Sequence, residues 1–260
     1  MYKYLDEKKQ HLHTFNDRPL LGTSSVCGVI AKPLTWWASG MACGVFGWLN
    51  PKNHPTEALK SRASEVLEQI KTLDVDSYLA LLKKAYGAHS EKLETSAEAG
   101  TDMHSLLEEY VRNCLKKSGV PYLIEEHESN FIKLFSKWAF DNVSRFELSE
   151  ANVCSERMWT GGITDVVMVM KNQERIMGDF KSSKEAYLSQ FIQVAGYDIQ
   201  QSENGFFSAT GEKISDPLKV DGYVIFPFGG KTFEPSFKYN TAELKKGFES
   251  ACVLYKVLNN

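Results

Sequence analysis

Asp179 and Lys181 stand two residues apart in the run Gly178-Asp179-Phe180-Lys181-Ser182-Ser183. The segment reads as a β-strand, and side chains at i and i+2 of a strand share a face. A carboxylate and an ammonium are therefore presented together, with Phe180 turned the other way into a core. A second carboxylate, Asp165, lies upstream in Gly161-Gly162-Ile163-Thr164-Asp165. The residues after it, Val166-Val167-Met168-Val169, are apolar on both faces, as expected of a central strand. A carboxylate at the mouth of such a strand is costly unless paired, hydrogen-bonded or metal-bound. Two acids and a lysine converging at a sheet edge can hold a divalent cation through oxygen ligands. The lysine can then orient a water or neutralise charge developing on a phosphate. Taken singly, each group has a plainer reading: a turn-capping Asp165, and an Asp179–Lys181 ion pair of little energetic weight.

Convergence imposes a condition on register. The strands ending at Met170 and beginning at Arg175 form a hairpin. A four-residue loop in simple register sets Asp165 opposite Phe180, on the wrong face. The site therefore requires a three- or five-residue loop around Asn172, or a bulge.

The ordered set from Gly161-Gly162-Ile163-Thr164-Asp165 through Gly178-Asp179-Phe180-Lys181 to Gln193-Val194-Ala195-Gly196-Tyr197, with Gly100-Thr101-Asp102-Met103-His104 upstream, resembles the PD-(D/E)XK nuclease superfamily. The nearest likeness is to its RecB-type and phage-type exonuclease branch. The likeness covers His104 to Tyr197. It departs at Thr164, where the family pattern has proline. It implies a restriction-endonuclease-like fold, a central mixed β-sheet flanked by helices, and metal-dependent hydrolysis of DNA. Asp165, Asp179, His104 and the backbone carbonyl of Phe180 would be the metal ligands, and Lys181 would assist the attacking water. Gln193 and Tyr197, four apart and so on one helical face, would orient Lys181, water or phosphate. Glu156 would be a further acid at the site, its plainer reading being a solvated partner of Arg157. The metal would be Mg2+ or Mn2+, with imidazole favouring manganese. No iron–sulfur cluster is expected, because only Cys252 lies near the C-terminus. The expected partner is DNA, as linear or single-stranded ends, in phage or prophage recombination or repair. A recombination protein and further copies of the chain are possible associates. The rival readings are a structure-selective or restriction-type endonuclease of the same fold, and an inactive DNA-end-binding module.

These groups need elements to hold them. Apolar spacing predicts helices over Thr56–Leu73, from Asp76 or Ser77 through Ala85, over Ser96–Lys117, Ser129–Asn142, Ala186–Gln201 and Thr241–Leu258. Strands are expected at Arg145–Glu156, Gly161–Met170, Arg175–Lys181, Val220–Phe228 and Thr232–Tyr239. His104 shares a helical face with Leu107, Val111 and Leu115, where a satisfied core histidine is the ordinary alternative. Tyr187, Phe191 and Val194 should pack on the sheet. The expected organisation is a single α/β (α+β) domain, with residues 1–95 a helical front and 96–260 the core. Within the front, Pro33 can open a helix, and Trp36 and Trp37 can stack bases of a single strand. Ser182 and Ser183, directly after Lys181, are further DNA-contact candidates.

Composition sets the outer bounds. The 260 residues are 43% apolar with a net charge of −3, an ordinary globular balance without a global basic signature. A local basic groove remains compatible with that charge. Five scattered cysteines without a CxxC pair argue against a disulfide framework or structural zinc and for a reducing compartment. The polar N-terminus shows no signal peptide, and Val26–Leu49, broken by Lys32, Pro33 and several Gly and Ser residues, is a poor membrane span. The expected location is the cytoplasm of a bacterial or phage-infected cell.

Overall fold

In the computed structural model of the chain, residues 2–7, 10–31, 35–230 and 232–259 are described, the side chains of 5–7, 10, 11, 36 and 92–102 excepted. The chain divides into two compact units, one of residues 1–31 and 100–260 and the other of residues 32–99.

The first unit opens with strands rather than helices. β1 (Tyr2–Glu7) and β2 (Gln10–Phe15) form an antiparallel hairpin, and β3 (Arg18–Pro19) extends it. β4 (Leu21–Gly22) then pairs in parallel with the central sheet, and α1 (Thr23–Gly28) follows. The expected helical front is therefore corrected over residues 2–7 and 10–22. Tyr2 explains the fold-back: its ring is buried, and its hydroxyl hydrogen-bonds to His13 Nδ1 and donates to Asn152 Oδ1, far away in sequence.

The second unit contains α2 (Thr35–Val45), α3 (Thr56–Lys71) and the first part of α4 (Val75–Leu115). Helices expected separately at Asp76–Ala85 and Ser96–Lys117 are one 41-residue helix. No proline interrupts residues 86–95, and Gly87 alone is too weak a breaker to stop a helix. The helix ends where expected, at Ser118-Gly119, both with positive φ.

The rest builds the sheet. α5 (Asn130–Asn142) leads into β5 (Val143–Ser155), β6 (Thr160–Met170) and β7 (Arg175–Lys181). α6 (Leu188–Asn204), β8 (Phe206–Phe207), β9 (Lys213–Ser215), β10 (Gly222–Pro227), β11 (Ser236–Lys238) and α7 (Thr241–Asn259) complete the chain. The strand order is β11-β10-β7-β6-β5-β8-β9. β5–β6–β7 is an antiparallel meander, and β10 runs parallel to β7. The architecture is thus mixed α/β, with β6 central.

Each face of the sheet has its own apolar core. Val166, Met168, Ile176, Phe180, Val224 and Phe226 pack with Leu107, Val111 and Phe135 from α4 and α5. Val167, Met177, Tyr223 and Ile225 pack with Phe191, Val194 and Tyr197 from α6. Gly178 is fixed by the first core: a Cβ there would lie 2.9 Å from both Val166 Cγ1 and Val224 Cγ1. Tyr187, expected against the sheet, is instead exposed at the N-cap of α6. Among the described residues no helix is long and apolar enough to cross a membrane, and all five cysteines are free.

Candidate metal centre

The β6–β7 hairpin has the register the site requires. Val166 pairs with Gly178, Val167 with Met177, Met168 with Ile176 and Val169 with Arg175. One rung further sets Asp165 opposite Asp179, on one face, with Phe180 on the other. The loop is the three-residue solution: Gln173 N–H donates to Met170 O, Met170 N–H donates to Glu174 O, and Gln173 has φ 72°. A left-handed residue closing a type I turn is a standard three-residue hairpin.

Asp165 sits where the ladder opens. Its Oδ2 accepts the Phe180 N–H at 2.6 Å. Lys181 O accepts from Phe228 N–H on the β10 side, so strand alternation turns the Phe180 carbonyl toward Asp165. From α4, His104 Nε2 comes to 3.0 Å from Asp165 Oδ2. The His104 ring meets Phe180 edge-on, while Leu107 and Val111 below it are fully buried. His104 is thus the site-facing end of a core face.

A residue that sequence reasoning missed joins them. Ser149 pairs with Val166 and Ala151 with Thr164, which sets Glu150 across from Asp165 on the other side. Glu150 has φ 49°, left-handed backbone inside a strand, an uncommon state for a non-glycine residue. Its Oε1 lies 3.8 Å from His104 Nε2. Counting back from the β5–β6 turn would have found it, since Ser155 pairs with Thr160. Glu156, the acid expected here, is corrected. It lies in that turn, exposed, beyond the Ser155–Thr160 rung that is itself five rungs from Asp165, with its N–H donated to Glu203 Oε1.

Lys181 and Asp179 form the other half. Nζ lies 2.5 Å from Asp179 Oδ2, and the Lys181 ammonium is the charged partner of that buried carboxylate. Gln193 Nε2 donates to the Tyr197 hydroxyl at 2.5 Å. Tyr197 is buried against the glycines of β6: a Cβ on Gly162 would lie 2.4 Å from Tyr197 Cε1 and 2.9 Å from Thr23 Oγ1. Burial first, then the Asp179 and Asp165 charges, raise the Tyr197 hydroxyl well above its ordinary pKa.

The electrostatics are those of a crowded acidic pocket. Burial and then the Asp165 charge push Glu150 up to about 8, against the pull of His104. Burial and Asp165 likewise push Asp179 up to about 7, against Lys181. Burial opposes the imidazolium of His104, but the hydrogen bond and charge of Asp165, then Glu150 and Asp179, carry it up to about 9. Burial opposes the Asp165 charge too, yet His104, Lys181 and the Phe180 N–H hold it below its usual value. Burial also opposes the Lys181 ammonium, and Asp179 and Asp165 raise it in spite of that.

The donors fit a cation. His104, Glu150 and Asp165 each offer an atom, all within 4.8 Å of one another. An octahedral cation with ligands at about 2.1 Å sets neighbouring donors about 3.0 Å apart; the His104–Asp165 separation is 3.0 Å, and Glu150 Oε1, 3.8 Å from His104, would close in by several tenths of an ångström. Asp179 Oδ2 has the Lys181 ammonium, whereas Glu150 Oε1 is buried without a hydrogen-bond partner. Such orphaned acceptors are costly unless a cation or proton meets them. This group can hold a metal ion.

The remaining candidates lie elsewhere. Ser182 is exposed. The Ser183 hydroxyl donates to Glu185 O and accepts from Gln190 Nε2, a brace between the loop and α6. Trp37 is exposed and lines a groove of the helical unit with Trp48. The Trp36 side chain, and Lys32 and Pro33, fall outside the described residues. Compared with known proteins, the sequence matches no family model, and no curated protein matches it.

Proposed function

We propose that the protein is a metal-dependent deoxyribonuclease with a restriction-endonuclease-like core, acting as an exonuclease at DNA ends in recombination or repair. The observation that carries this reading is the Asp165 rung: Glu150 and Asp179 flank it on neighbouring strands, with His104 3.0 Å from Asp165 and Lys181 two residues beyond Asp179. The ordered resemblance from His104 to Tyr197 adds to it. His104, Glu150 and Asp165, with Asp179 and the Phe180 carbonyl beside them, would hold Mg2+ or Mn2+. Bound there, the cation supplies Lewis acidity toward a phosphate oxygen and acidifies water.

The chain's own groups do the rest. Water adds to phosphorus, the bond from phosphorus to one sugar oxygen breaks, and the proton lost by the water reaches the departing oxygen through solvent. Lys181 offsets negative charge developing on the phosphate. Its ammonium persists across the neutral range because Asp179 and Asp165 raise it despite burial. Gln193, bonded to Tyr197, holds that hydroxyl beside the carboxylates. No covalent enzyme intermediate is needed.

The test is degradation of linear DNA with Mg2+ or Mn2+ by wild type and Asp179→Asn. Cation-dependent activity that the variant loses is the expected result. Activity in EDTA, or an unimpaired variant, overturns the reading. Cutting of covalently closed circles would reassign the enzyme as an endonuclease.

A further inference from the structure

The helical unit carries a stripe of exposed apolar side chains. On α4, Val75 is 75% exposed, Tyr78 41%, Leu79 49%, Leu82 39% and Tyr86 86%. These residues recur at spacings of three and four, so at 3.6 residues per turn they occupy roughly 100° of the helix circumference. The inward side of the same segment adjoins the stripe: Leu81 and Ala88 line the groove beside α3, and Ala85, next to Tyr78 around the helix, is buried. An amphipathic helix with a second apolar face is built to meet another helix.

Charge along one flank of the stripe selects the occupant. Asp76 and Lys83 are seven residues apart, two turns, and so lie on the same flank about 10 Å apart along the axis. Neither forms an ion pair with another described residue. Asp74, by contrast, is committed as a cap, its Oδ1 accepting the Ser77 N–H.

We propose that this face pairs two copies of the chain through antiparallel α4 helices, centred between Leu79 and Leu82. A two-fold axis perpendicular to the helix pair brings each flank against its own equivalent. Leu79 then meets the partner's Leu82, and Val75 lies under the partner's Tyr86, matching the small side chain to the large one. Asp76 comes within about two residues of axial height of the partner's Lys83, a span the lysine stem covers. Both Asp–Lys pairs form at once, because the axis duplicates them. A parallel pair instead sets the acidic N-terminal ends of the two segments at one height and forms neither pair. The charge pattern thus fits a second copy in one orientation, and the proposal is independent of the nuclease reading.

Sedimentation velocity of the full chain over a range of concentrations tests it. The expected result is a concentration-dependent dimer that Leu79→Glu abolishes. Asp76→Lys and Lys83→Asp should each weaken association about tenfold or more, since each turns two attractive contacts repulsive. The double variant Asp76→Lys/Lys83→Asp should recover wild-type association. These positions are exposed, and unchanged far-ultraviolet circular dichroism shows that each variant folds. A monomer at every concentration overturns the proposal. So does a dimer indifferent to the single reversals, or a double variant no better than the singles.

Discussion

Two buried aspartates in this protein, Asp198 and Asp179, each have a lysine partner and are otherwise opposites. Asp198 Oδ2 lies 2.7 Å from Lys245 Nζ and accepts the Tyr223 hydroxyl at 2.7 Å, and its Oδ1 accepts Gln201 Nε2 at 2.7 Å. Each of its oxygens is met by a donor. Asp179 has the Lys181 ammonium at 2.5 Å but faces a second carboxylate, Asp165, across one rung. One arrangement is a polar knot that ties α6 to β10 and α7. The other holds several acids together without enough donors, and only a cation or protons can complete it. A buried acid is therefore not itself the mark of a site; the shortage of donors around it is.

Neutralising each aspartate separates the two. Asp179→Asn should remove cation-dependent DNA hydrolysis by about 100-fold or more, while the melting temperature holds or rises because a like charge is gone beside Asp165. Asp198→Asn should do the reverse. Activity per folded molecule should survive, and stability should fall by about 1–3 kcal/mol as its donors lose a charged acceptor. Chemical denaturation read beside a nuclease assay checks both. An Asp179→Asn variant that unfolds like Asp198→Asn would make the centre another structural knot.

The pH dependence follows from the same shortage. His104 is raised from 6.5 to about 9, so its stabilising contribution is complete below about pH 6.5 and lost as pH rises through 9. Asp179, raised from 3.8 to about 7, and Glu150, raised from 4.5 to about 8, hold protons in the folded state that the unfolded chain releases. All three make the folded state the better proton binder, so the metal-free protein should lose stability as pH rises from about 4 to 9. Asp165, held below 3.8, has the opposite sign, and its contribution is lost only in stronger acid. A cation replaces those protons, so stabilisation by Mn2+ should grow with pH and binding should release protons. Melting curves in EDTA and in Mn2+ at about pH 5.5, 7 and 8.5 measure this. A metal-free melting temperature that climbs over that range would break the account.

Much of this was legible because strands report their faces directly. The alternation around Phe180 and the apolar run after Asp165 oriented both acids, and requiring them to meet narrowed the loop to three or five residues or a bulge, of which the chain uses the three-residue form. Helix α6 was legible too, since Gln193 and Tyr197 four apart can only share a face. Glu150 was legible only through the register of the β5–β6 turn, which sets it across from Asp165; residue type alone did not mark it, since nothing about a glutamate announces the left-handed backbone it takes inside a strand. The N-terminal strands escaped for another reason. Their order is held by distant partners such as Asn152 on Tyr2, not by local periodicity. The length of α4 escaped because its middle offers neither a strong stop nor a strong apolar stripe.

The smallest expected effect is the sharpest check on which acid belongs to the centre. Glu150→Gln keeps the shape and removes a donor charge that neighbours both His104 and Asp165, so Mn2+ affinity should fall about tenfold or more. Glu156→Ala removes an exposed side chain from the β5–β6 turn, where its backbone N–H stays bonded to Glu203. Stability should change by no more than about 0.5 kcal/mol and Mn2+ affinity not at all. Titration calorimetry with Mn2+ on the two variants and wild type distinguishes the outcomes. Equal loss in both would mean that the turn reaches the site in solution and that the register assigned to β5 is wrong. No binding by wild type would instead remove the cation, leaving Glu150 and Asp179 to be satisfied by protons alone.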